Sequence, residues 1–404
     1  MTTTNNNEHK KLNVPNIRFP EFSGEWEEST IGEEFDLYSG NTPSRLNKEH
    51  FNGAINWISS GELKEHYIAD TKEKISDEAA KNLKMLPIGT FVIAIYGLEA
   101  DGVRGTGSIT KSESTISQAC MAFTTKGKVQ NEFLYSWYKK HGNIIGIRYA
   151  QGTKQQNLSY DIIEKFKIAY PAFQEQEKLN KFIALLDERI AIQSKIIEEL
   201  KKLKSALIEK HYSQAEKQIV CVADLGEPFN VGNLAKDDLT ETGKPCVIYG
   251  ELFTTYGEII TQIESYTNKT DGVILSKKGD LLFPSSTTVD AMSLIAPSVI
   301  NVDGVILGGD MFGIHISPNF NAQYLSYYFN HIAKRQLAKY AKGSTIIHLH
   351  YTDIEKAKLF LPSLEEQNRM AKCLVSLDDK IKGENALLDL LNNQKAYLLY
   401  QMFI

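Results

Sequence analysis

The chain has 404 residues, of which 42% are hydrophobic and 24% charged, the composition of a soluble globular protein with roughly two to four domains. It contains no run of roughly 18 apolar residues that could span a membrane, and its four widely spaced cysteines predict neither a disulfide framework nor a zinc site, so a cytoplasmic location is expected. The net charge of −5 means that any surface for nucleic-acid phosphates must be local.

The N-terminal part of the chain is predicted to be a tail followed by a first globular domain. Residues 1–16 are polar, rich in Thr and Asn, and lack the apolar core of a signal peptide, which predicts disorder. Residues 17–173 contain short strand patterns such as Thr90–Tyr96 and Ser117–Thr124, punctuated by glycine and proline. A helix is predicted over Asn131–Tyr149, so this domain mixes helix and strand.

A long amphipathic helix is predicted over residues 174–215. Its apolar residues recur at alternating steps of three and four, with two positions skipped, which is typical of a coiled-coil seam. The seam residues are Leu179, Ile183, Leu186, Ile190, Ile197, Leu200 and Leu207.

Residues 216–364 are predicted to form a second mixed domain, with strands at Asp280–Phe283 and Met311–Ile316 and a helix over Asn321–Tyr340. A second long helix follows at 365–404, with the seam residues Met370, Leu374, Leu377, Ile381, Leu388, Leu391 and Leu398. We expect the two seams to pack against each other antiparallel; the alternative is that each helix lies on its own domain.

The second half of the chain repeats the first with a shift of 191 residues. Without a gap, Pro171 aligns with Pro362, Glu175-Gln176 with Glu366-Gln367, and Leu186-Asp187 with Leu377-Asp378. The predicted fold class is therefore α+β: two tandem α/β domains joined by two long antiparallel coiled-coil helices, in a pseudo-twofold repeat. The intervening loops have diverged, which favours two different ligands over a duplication that only adds stability.

Positive charge is concentrated at the same place in both repeats. Residues 139–167 and 330–358 each hold six Lys/Arg and two acidic residues, which favours two DNA-facing surfaces, although helix ends and loops often carry lysine for solubility alone. Arg, Lys, Gln and Asn can bond base edges. The candidate DNA-binding residues are Arg148, Lys154, Gln155, Gln156, Asn157, Lys342, Ser344, Thr345, His348 and His350, and, in further loops, Ser44, Arg45, Tyr96, Arg104, Ser285, Ser286 and Thr287.

The sequence lacks the motifs of an enzyme that acts on DNA. It has no GxxxxGK phosphate loop, no adjacent prolines of the kind found in amino-methyltransferase loops, and no GxSxG. His348 and His350 lie two residues apart, a spacing that could bind a metal ion, but the sequence indicates no third ligand. We therefore expect both to be surface histidines. A catalytic site and a metal site are therefore not expected.

Several motifs together resemble the specificity subunit of type I restriction-modification systems. They are Ile17-Arg18-Phe19-Pro20-Glu21-Phe22 with Gly24-Glu25-Trp26, the Gly-Thr-Lys-Gln-Gln-Asn-Leu run at 152–158, the Pro-x-x-x-Glu-Gln motifs at 171–176 and 362–367, and the repeated Leu-Asp. The second repeat departs from the first at 343–349, where Gly-Ser-Thr-Ile-Ile-His-Leu replaces that run, so a role shared through Lys154 and Gln155 is in doubt.

The resemblance implies a division of labour within a larger assembly. Each target recognition domain would recognise one half of a bipartite double-stranded DNA site in the major groove, and the helices would set the spacer and dock two methyltransferase subunits. S-adenosylmethionine, ATP and Mg would act through the methyltransferase and restriction/translocase subunits, with no cofactor on this chain. The alternative from a different class is a non-DNA-binding scaffold with duplicated protein-binding lobes, which the acidic net charge would favour.

Overall fold

The computed structural model describes residues 13–100, 102–152 and 156–404, and the chain divides into two compact units. Unit 1 comprises the chain up to residue 194 together with residues 386–404, and unit 2 comprises residues 195–385. Each long helix therefore contributes one part to each unit. Within the described ranges, no helix combines the length and the apolar character that crossing a bilayer requires.

Unit 1 consists of short strands, one helix of 19 residues and parts of both long helices. Its strands are β1 Glu27–Thr30, β2 Phe35–Ser39, β3 Ile55–Ile58, β4 Tyr67–Ile68, β5 Lys74–Ile75, β6 Phe91–Ala94, β7 Gly107–Thr110, β8 Ser114–Ile116, β9 Cys120–Thr125 and β10 Lys167–Tyr170. Its helices are α1 Ile31–Glu34, α2 Asp77–Ala80, α3 Asn131–Tyr149, α4 Tyr160–Ile163 and the start of the long helix α5 Phe173–Gln214.

Unit 2 also consists of short strands and helices, with more strands than unit 1, and it includes the end of α5. Its strands are β11 Gln218–Cys221, β12 Gly226–Asn230, β13 Leu239–Thr240, β14 Lys244–Ile248, β15 Ile259–Ile260, β16 Ser265–Thr267, β17 Ile274–Leu275, β18 Asp280–Pro284, β19 Ser286–Thr287, β20 Ser298–Ile300, β21 Ile306–Gly308, β22 Met311–Ile316, β23 Ile347–His348 and β24 Lys358–Leu361. Its helices are α6 Glu251–Thr254, α7 Ala291–Leu294, α8 Ala322–His331, α9 Lys334–Leu337, α10 Tyr351–Ile354 and the start of the long helix α11 Leu364–Met402.

The sheet topology repeats between the units. A five-stranded sheet runs β2-β9-β6-β7-β4 in unit 1 and β12-β22-β18-β20-β15 in unit 2, and in both the last pair alone is parallel. The three-stranded sheet β5-β3-β8 corresponds to β16-β14-β21, which gains β13 and β17 at its edges in unit 2. The predicted α+β tandem is thus confirmed, and the repeats differ in their edge strands.

The structure corrects the prediction for the N-terminal tail. Pro15 is buried, the carbonyl of Asn13 accepts a hydrogen bond from the backbone of Trp26 at 2.7 Å, and the amide of Ile17 donates to Gln401 at 3.1 Å. The prediction of disorder through residue 16 is therefore wrong for residues 13–16, because this segment packs on unit 1. Residues 1–12 lie outside the described residues.

The predicted helix at 321–340 is broken into two. Helix α8 ends where the carbonyl of Tyr328 accepts from the amides of both Ile332 and Ala333, at 2.8 and 2.9 Å. This shared acceptor widens the turn by one residue, so the ladder of hydrogen bonds loses its register and α9 begins anew at Lys334. The prediction of one continuous helix is wrong for this reason.

The glutamine of the Pro-x-x-x-Glu-Gln motif connects the start of α5 to the start of α3. The Gln176 side chain is fully buried; its amide nitrogen donates to the carbonyl of Pro171 at 2.9 Å, and its oxygen accepts from the amide of Gln130, the residue before α3, at 2.9 Å. A buried amide whose hydrogen bonds are satisfied fixes both chain segments against each other.

The same connection recurs in unit 2 at the positions shifted by 191 residues. Gln367 is fully buried, donates to the carbonyl of Pro362 at 2.9 Å and accepts from the amide of Asn321 at 3.0 Å. The repeated motif is therefore a structural joint between a long helix and the helix of the globular part.

The heptad seam predicted for the long helices lies inside each unit. All the predicted seam residues are buried or half-buried, and Leu179, Ile183, Met370 and Leu374 belong to the main hydrophobic cores. In unit 2 the helices run antiparallel, since Lys204 of α5 contacts Asp378 of α11 at 2.7 Å, and His211 further along α5 contacts the earlier Glu366 at 3.0 Å.

Two half-buried ion pairs connect the long helices, and the lysine of each pair stands at a skipped position of the seam. In unit 1, Lys395 of α11 pairs with Asp187 of α5, and each side chain is 16% exposed. In unit 2 the roles of the helices are exchanged, because Lys204 of α5 pairs with Asp378 of α11. These are the same two sequence positions, 191 residues apart, so the repeated Leu-Asp motif provides the acidic partner of both pairs.

Each pair extends into the globular part of its own unit. In unit 2, Lys204 also contacts Glu258 at 3.0 Å, and His331 contacts the same carboxylate at 2.9 Å. Burial alone would raise the pKa of Glu258, but the hydrogen bonds and charges of His331 and Lys204 outweigh it and hold the pKa at about 2.

In unit 1 the corresponding extension is His66, which lies between two carboxylates and two tyrosine rings. Its Nδ1 is 2.8 Å from Asp187 and its Nε2 is 2.8 Å from Glu132, while Tyr67 and Tyr135 stack on its faces at 4.1 and 3.9 Å. Burial opposes the charge, but the two carboxylates raise the pKa of His66 above its ordinary value. The geometry suits an imidazolium that donates from both nitrogens.

We expect a double-mutant cycle on Asp187→Asn and Lys395→Met to give a coupling energy of about 1–3 kcal/mol in urea unfolding of the full chain, because each single change removes the partner on the other helix from a half-buried charge. The matched control is the exposed pair Glu198–Lys202 on the same helix, whose side chains are 64% and 61% exposed. Its cycle of Glu198→Gln and Lys202→Met should give less than about 0.5 kcal/mol. Equal coupling energies in the two cycles would contradict the assignment.

The raised pKa of His66 predicts a pH dependence of stability. The imidazolium stabilises unit 1 fully below the ordinary histidine pKa of about 6.5, and this stabilisation is lost as the pH rises through the higher folded value. The free energy of unfolding lost on His66→Gln should therefore be largest near about pH 6 and shrink at higher pH.

His141 provides a control of opposite sign for this measurement. Burial lowers its pKa, so the cost of His141→Gln should grow as the pH rises. A cost of His66→Gln that does not change with pH would rule out the doubly bonded imidazolium.

Candidate nucleic-acid interface

In unit 1 the structure brings together two segments that the sequence analysis singled out. The residues after β6 run beside residues 156–158, where Leu158 donates to the carbonyl of Ile95 at 2.9 Å and Leu98 donates to that of Gln156 at 3.1 Å. Between these two hydrogen bonds, Tyr96 and Asn157 lie opposite each other as an isolated antiparallel β-bridge.

Unit 2 has the same juxtaposition. Strand β19 pairs antiparallel with β23, so that Ser286 lies opposite His348 and Thr287 opposite Ile347. The amide of Leu349 donates to the carbonyl of Ser285 at 2.9 Å, as Leu158 does in unit 1. These two segments therefore have the same backbone arrangement in both units.

Backbone hydrogen bonds close a loop at this place in each unit. Gln151 and Asn157 exchange hydrogen bonds of 2.8 and 2.9 Å, and Lys342 and His348, the residues shifted by 191, exchange bonds of 2.9 and 2.7 Å. We call the enclosed segments, residues 152–156 and 343–347, the closed loops. Because main-chain atoms make the closure, the side chains within the loops are not needed for it.

A glycine with left-handed backbone begins each closed loop. Gly152 has φ +112° and Gly343 has φ +115°, a region that residues with a Cβ rarely adopt. A Cβ on Gly343 would also lie 2.0 Å from the carbonyl oxygen of Ile346. This position is therefore restricted to glycine in unit 2, which accounts for its recurrence in a stretch that otherwise diverges.

The predicted site residues of the first closed loop are only partly described. Lys154 and Gln155 lie outside the described residues. The amide of Gln156 donates to the carboxylate of Glu99 at 2.8 Å, and its side-chain oxygen lies 3.4 Å from a terminal guanidinium nitrogen of Arg104. Three predictions from separate parts of the sequence, Tyr96, Arg104 and Gln156, thus fall on one surface.

Arg148 lies at the end of α3 on an open groove of about 450 Å³. The groove is lined by aromatic rings, including Tyr149 and Phe166, and by the cations Lys165 and Lys167. Arg148 is exposed, so this groove offers positive charge beside aromatic faces.

Ser44 and Arg45 lie in a different layer of unit 1. The Arg45 guanidinium makes two 2.8 Å hydrogen bonds with Glu73 and lies over the ring of Phe51 at 4.6 Å, next to the three-stranded sheet. Both residues are exposed. The structure therefore does not place them with Arg104 and Gln156, and Arg45 already has an anionic partner.

In unit 2 the closed loop presents polar side chains to solvent. Ser344 and Thr345 are exposed, as are Lys342 and His350 on either side. The Lys342 ammonium is 2.5 Å from Asp353 but remains 76% exposed. Hydrogen bonding to Lys342 lowers the pKa of Asp353.

The two predicted histidines of unit 2 lie close to each other beside a small groove. The rings of His348 and His350 are 6.1 Å apart and nearly parallel, and His350 lines a groove of about 250 Å³ with Phe229 and Tyr351. Within the described parts of the chain, no group of three His, Cys, Asp or Glu side chains could hold a metal ion.

Two predicted contacts in unit 2 are corrected by their burial. Ser285 and Ser286 are 3% and 7% exposed. The backbone of Ser286 pairs with β23, and that of Ser285 is hydrogen-bonded to Asp310 and Leu349. The two serines are not available to DNA in this structure, whereas Thr287 is half-buried at the edge. Of the three polar residues predicted to contact DNA here, only Thr287 is partly accessible.

The positive charge of residues 139–167 also points only partly outward. The Lys139 ammonium lies 5.2 Å from the ring of Tyr135, and burial and the nearby Lys395 lower its pKa to about 8. Lys140 donates to the carbonyl oxygens of Tyr400 and Phe403 at 3.1 and 2.5 Å. These two lysines face the end of α11, so the charge at the closed loop is smaller than the count in the sequence suggests.

Sequence reasoning missed the residues that shape this surface without themselves being basic. Gly142 and Gly146 of α3 allow the loop that carries Arg104 to sit directly on the helix, and Glu99 and Asp353 orient the closed loops. The spacing of the two glycines by one helical turn was the available signal, since glycine weakens a helix interior without such a packing reason.

Comparisons with known families and proteins agree on one assignment. The family model for the type I restriction modification DNA specificity domain matches twice, at residues 23–202 and 215–393. The MjaVIII type I restriction enzyme specificity subunit of Methanocaldococcus jannaschii is 22% identical over 391 residues, or 91% of this chain and 88% of that protein. The MjaIX specificity subunit of the same organism is 25% identical over 198 residues, or 48% and 45% of the two chains.

Solved structures with the same fold cover nearly the whole chain. The crystal structure of the type I restriction-modification S subunit from M. genitalium matches with a TM-score of 0.62 and 15% identity, over 97% of this chain and 99% of that one. A chain from a study of complex assembly and conformational transition of the type I R-M system matches with a TM-score of 0.56 and 13% identity, over 93% and 96%. At such identities these matches support the fold.

The glycine of the second closed loop provides a test of the loop geometry. Gly343→Ala should increase hydrogen–deuterium exchange at the amides of 342–348, because the added Cβ collides with the carbonyl of Ile346 and opens the closure. The matched control is Gly304→Ala, at φ +76° with no atom within 4 Å of the added Cβ. Unchanged exchange at 342–348 in the Gly343 variant would contradict the geometry.

Proposed function

The chain belongs to the family of type I restriction-modification DNA specificity proteins, and on that premise we propose that each unit recognises one half of a bipartite DNA site through its closed loop. Family membership assigns a role in DNA recognition. The division of the site between the units, and the residues that carry it, are the content of the proposal.

The observation that carries the proposal is that the two loops have the same main-chain closure but different side chains. Both loops are closed by the same pair of backbone hydrogen bonds and the same left-handed glycine. Unit 1 presents Gln156 with Arg104 beside it, whereas unit 2 presents Ser344 and Thr345. One backbone with two sets of hydrogen-bonding groups is suited to recognise two different base sequences.

The cations around the loops have a different proposed role. Arg148 and Lys165 in unit 1, and Lys342 and Lys356 in unit 2, are exposed and would contact phosphates. Such contacts supply affinity and orientation without selecting bases. The scaffold alternative has no support from these findings, since the matched domain is a DNA specificity domain.

We place the partner subunits of the assembly on the long helices. Outside the seam, α5 carries the exposed apolar residues Leu185, Ile192 and Leu203, and α11 carries Leu390, which is 65% exposed. Apolar rows on a long helix are suited to pack against helices of a partner. We propose that two methyltransferase subunits dock there, that restriction/translocase subunits join them, and that S-adenosylmethionine, ATP and Mg bind to those subunits.

The helices are also proposed to set the spacer between the half-sites. Helix α5 is continuous from Phe173 to Gln214, which corresponds to a length of about 63 Å at about 1.5 Å per residue. A continuous helix transmits a fixed length, so the number of unspecified base pairs would follow from the helices and the bases from the loops.

A graft of the second recognition domain separates these two roles. Residues 215–362 should be replaced by those of a relative with a different second half-site, because β11 pairs with β24 and both strands must come from one source. The grafted protein, co-expressed with its methyltransferase subunits, should methylate DNA with one half of the site changed and the other half and the spacer retained. The readout is single-molecule sequencing of the methylated DNA.

The reciprocal graft of the corresponding part of unit 1 is the control and should change only the other half. A change of both halves by either graft would contradict the assignment of one half-site to each unit. A changed spacer in a protein that keeps both long helices would contradict their role in setting it.

A further inference from the structure

Arg104 is held in a manner that distinguishes it from the other arginines of unit 1. It lies in the loop between β6 and β7, and this loop presses into a groove on α3 made by Gly142 and Gly146. A Cβ on Gly146 would lie 2.5 Å from Cγ of Arg104, and a Cβ on Gly142 would lie 3.0 Å from Cα of Gly105. The stem of Arg104 therefore rests on the backbone of the helix and has few alternative rotamers.

The loop backbone approaches the helix equally closely. Gly105 has φ +71°, and a Cβ there would lie 2.8 Å from the backbone nitrogen of Asn143. Three glycines from two separate segments are thus needed for one arginine to adopt this position. Such a requirement goes beyond what an exposed lysine or arginine needs in order to attract phosphates.

The guanidinium at the end of this stem is incompletely satisfied. Its Nε is buried and has no hydrogen-bond partner among the described residues, and its Nη2 lies 3.4 Å from the side-chain oxygen of Gln156, beyond the usual hydrogen-bond range. By contrast, Arg18 and Arg45 in the same unit make ion pairs of 2.7 and 2.8 Å with Glu175 and Glu73. Among the described residues, no carboxylate lies within 4.0 Å of Arg104.

Gln156 is itself fixed beside Arg104. Its amide donates to Glu99 at 2.8 Å and its carbonyl accepts from Leu98 at 3.1 Å, so the loop that carries Arg104 also holds the closed loop. The hydrogen bond from Gln156 lowers the pKa of Glu99. The arginine and the glutamine side chain are therefore presented together, at a fixed separation, by two segments that hold each other.

The charge of Arg104 also contributes to the lowered pKa of Glu99, but no described carboxylate makes an ion-pair contact with the guanidinium. A guanidinium held in this way is suited to a planar acceptor pair. The O6 and N7 atoms of guanine offer two acceptors at the spacing of the arginine fork, and an immobilised side chain loses little entropy when it binds them. We propose that Arg104, positioned by Gly142, Gly146 and Gln156, recognises a guanine in the half-site bound by unit 1. The inference rests on the proposed DNA-recognition function of unit 1.

The test uses the assembled methyltransferase complex and DNA duplexes that contain the sequence it methylates. In the wild type, one guanine of the unit 1 half-site should be essential, and its replacement by 7-deazaguanine, which lacks the N7 acceptor, should weaken binding roughly tenfold or more. In Arg104→Met, which keeps the stem over Gly146, affinity for the natural site should fall roughly ten- to a hundredfold, and 7-deazaguanine should have no further effect. Every other position of the site should keep its preference.

Arg148→Ala provides the contrasting variant in the same unit. As a phosphate contact it should weaken binding to all sequences alike and reduce the slope of log K against log salt by about one, with the response to 7-deazaguanine retained. The thermal midpoint of each variant complex identifies any that fail to fold, and the 7-deazaguanine measurement on the wild type does not depend on a variant.

The outcomes separate this inference from the function on which it rests. A complex that shows no sequence-specific binding would contradict the proposed function of unit 1. Specific binding with no guanine in that half-site, or with a 7-deazaguanine effect that persists in Arg104→Met, would overturn the role of Arg104 alone.

Discussion

A lysine from one long helix pairs with an aspartate from the other in both units, within a seam that is otherwise largely apolar. Removing these charges from water costs free energy that their contacts must offset, so a helix register that separates lysine from aspartate is penalised. The aspartates also bind the globular parts, since Asp187 contacts His66 at 2.8 Å and Asp378 accepts from the hydroxyl of Tyr327 at 2.5 Å. Helix register and domain position are therefore fixed by the same side chains.

The residues that stabilise the fold are different from those whose side chains are exposed at the candidate interface. Gln176 and Gln367 join each long helix to its globular part through buried side-chain hydrogen bonds, and these residues are identical in the two halves. The closed loops are held by main-chain bonds, and there the halves differ. Repetition of the first group and divergence of the second is what a protein with one architecture and two targets requires.

The architecture could be predicted because the sequence patterns that specify it are periodic or repeated. The shift of 191 residues aligned the domains, the heptad pattern located both long helices to within a few residues, and helix α3 has the predicted bounds of Asn131–Tyr149. The predictions failed where a single local contact decides the outcome. The shared carbonyl of Tyr328 broke a helix that has neither proline nor glycine at the break, and no periodicity announces such a contact.

The candidate interface shows the same limit. Tyr96, Arg104 and Gln156 were singled out from separate segments, and the fold brings them together. Ser285 and Ser286 looked equally suitable in the sequence, but strand pairing buries them. Lys139 and Lys140 were counted as surface charge, yet they face the end of α11. Whether a polar residue is available depends on neighbours distant in the chain, which composition does not reveal.

Because main-chain atoms close the loops, the structure of each loop does not depend on the side chains that it exposes. Ser344 and Thr345 are exposed within the loop that the Lys342–His348 bonds close, so substitutions there change the side chains that are presented, whereas the main-chain bonds do not depend on them. The same closed backbone can therefore present different hydrogen-bonding groups in the two units.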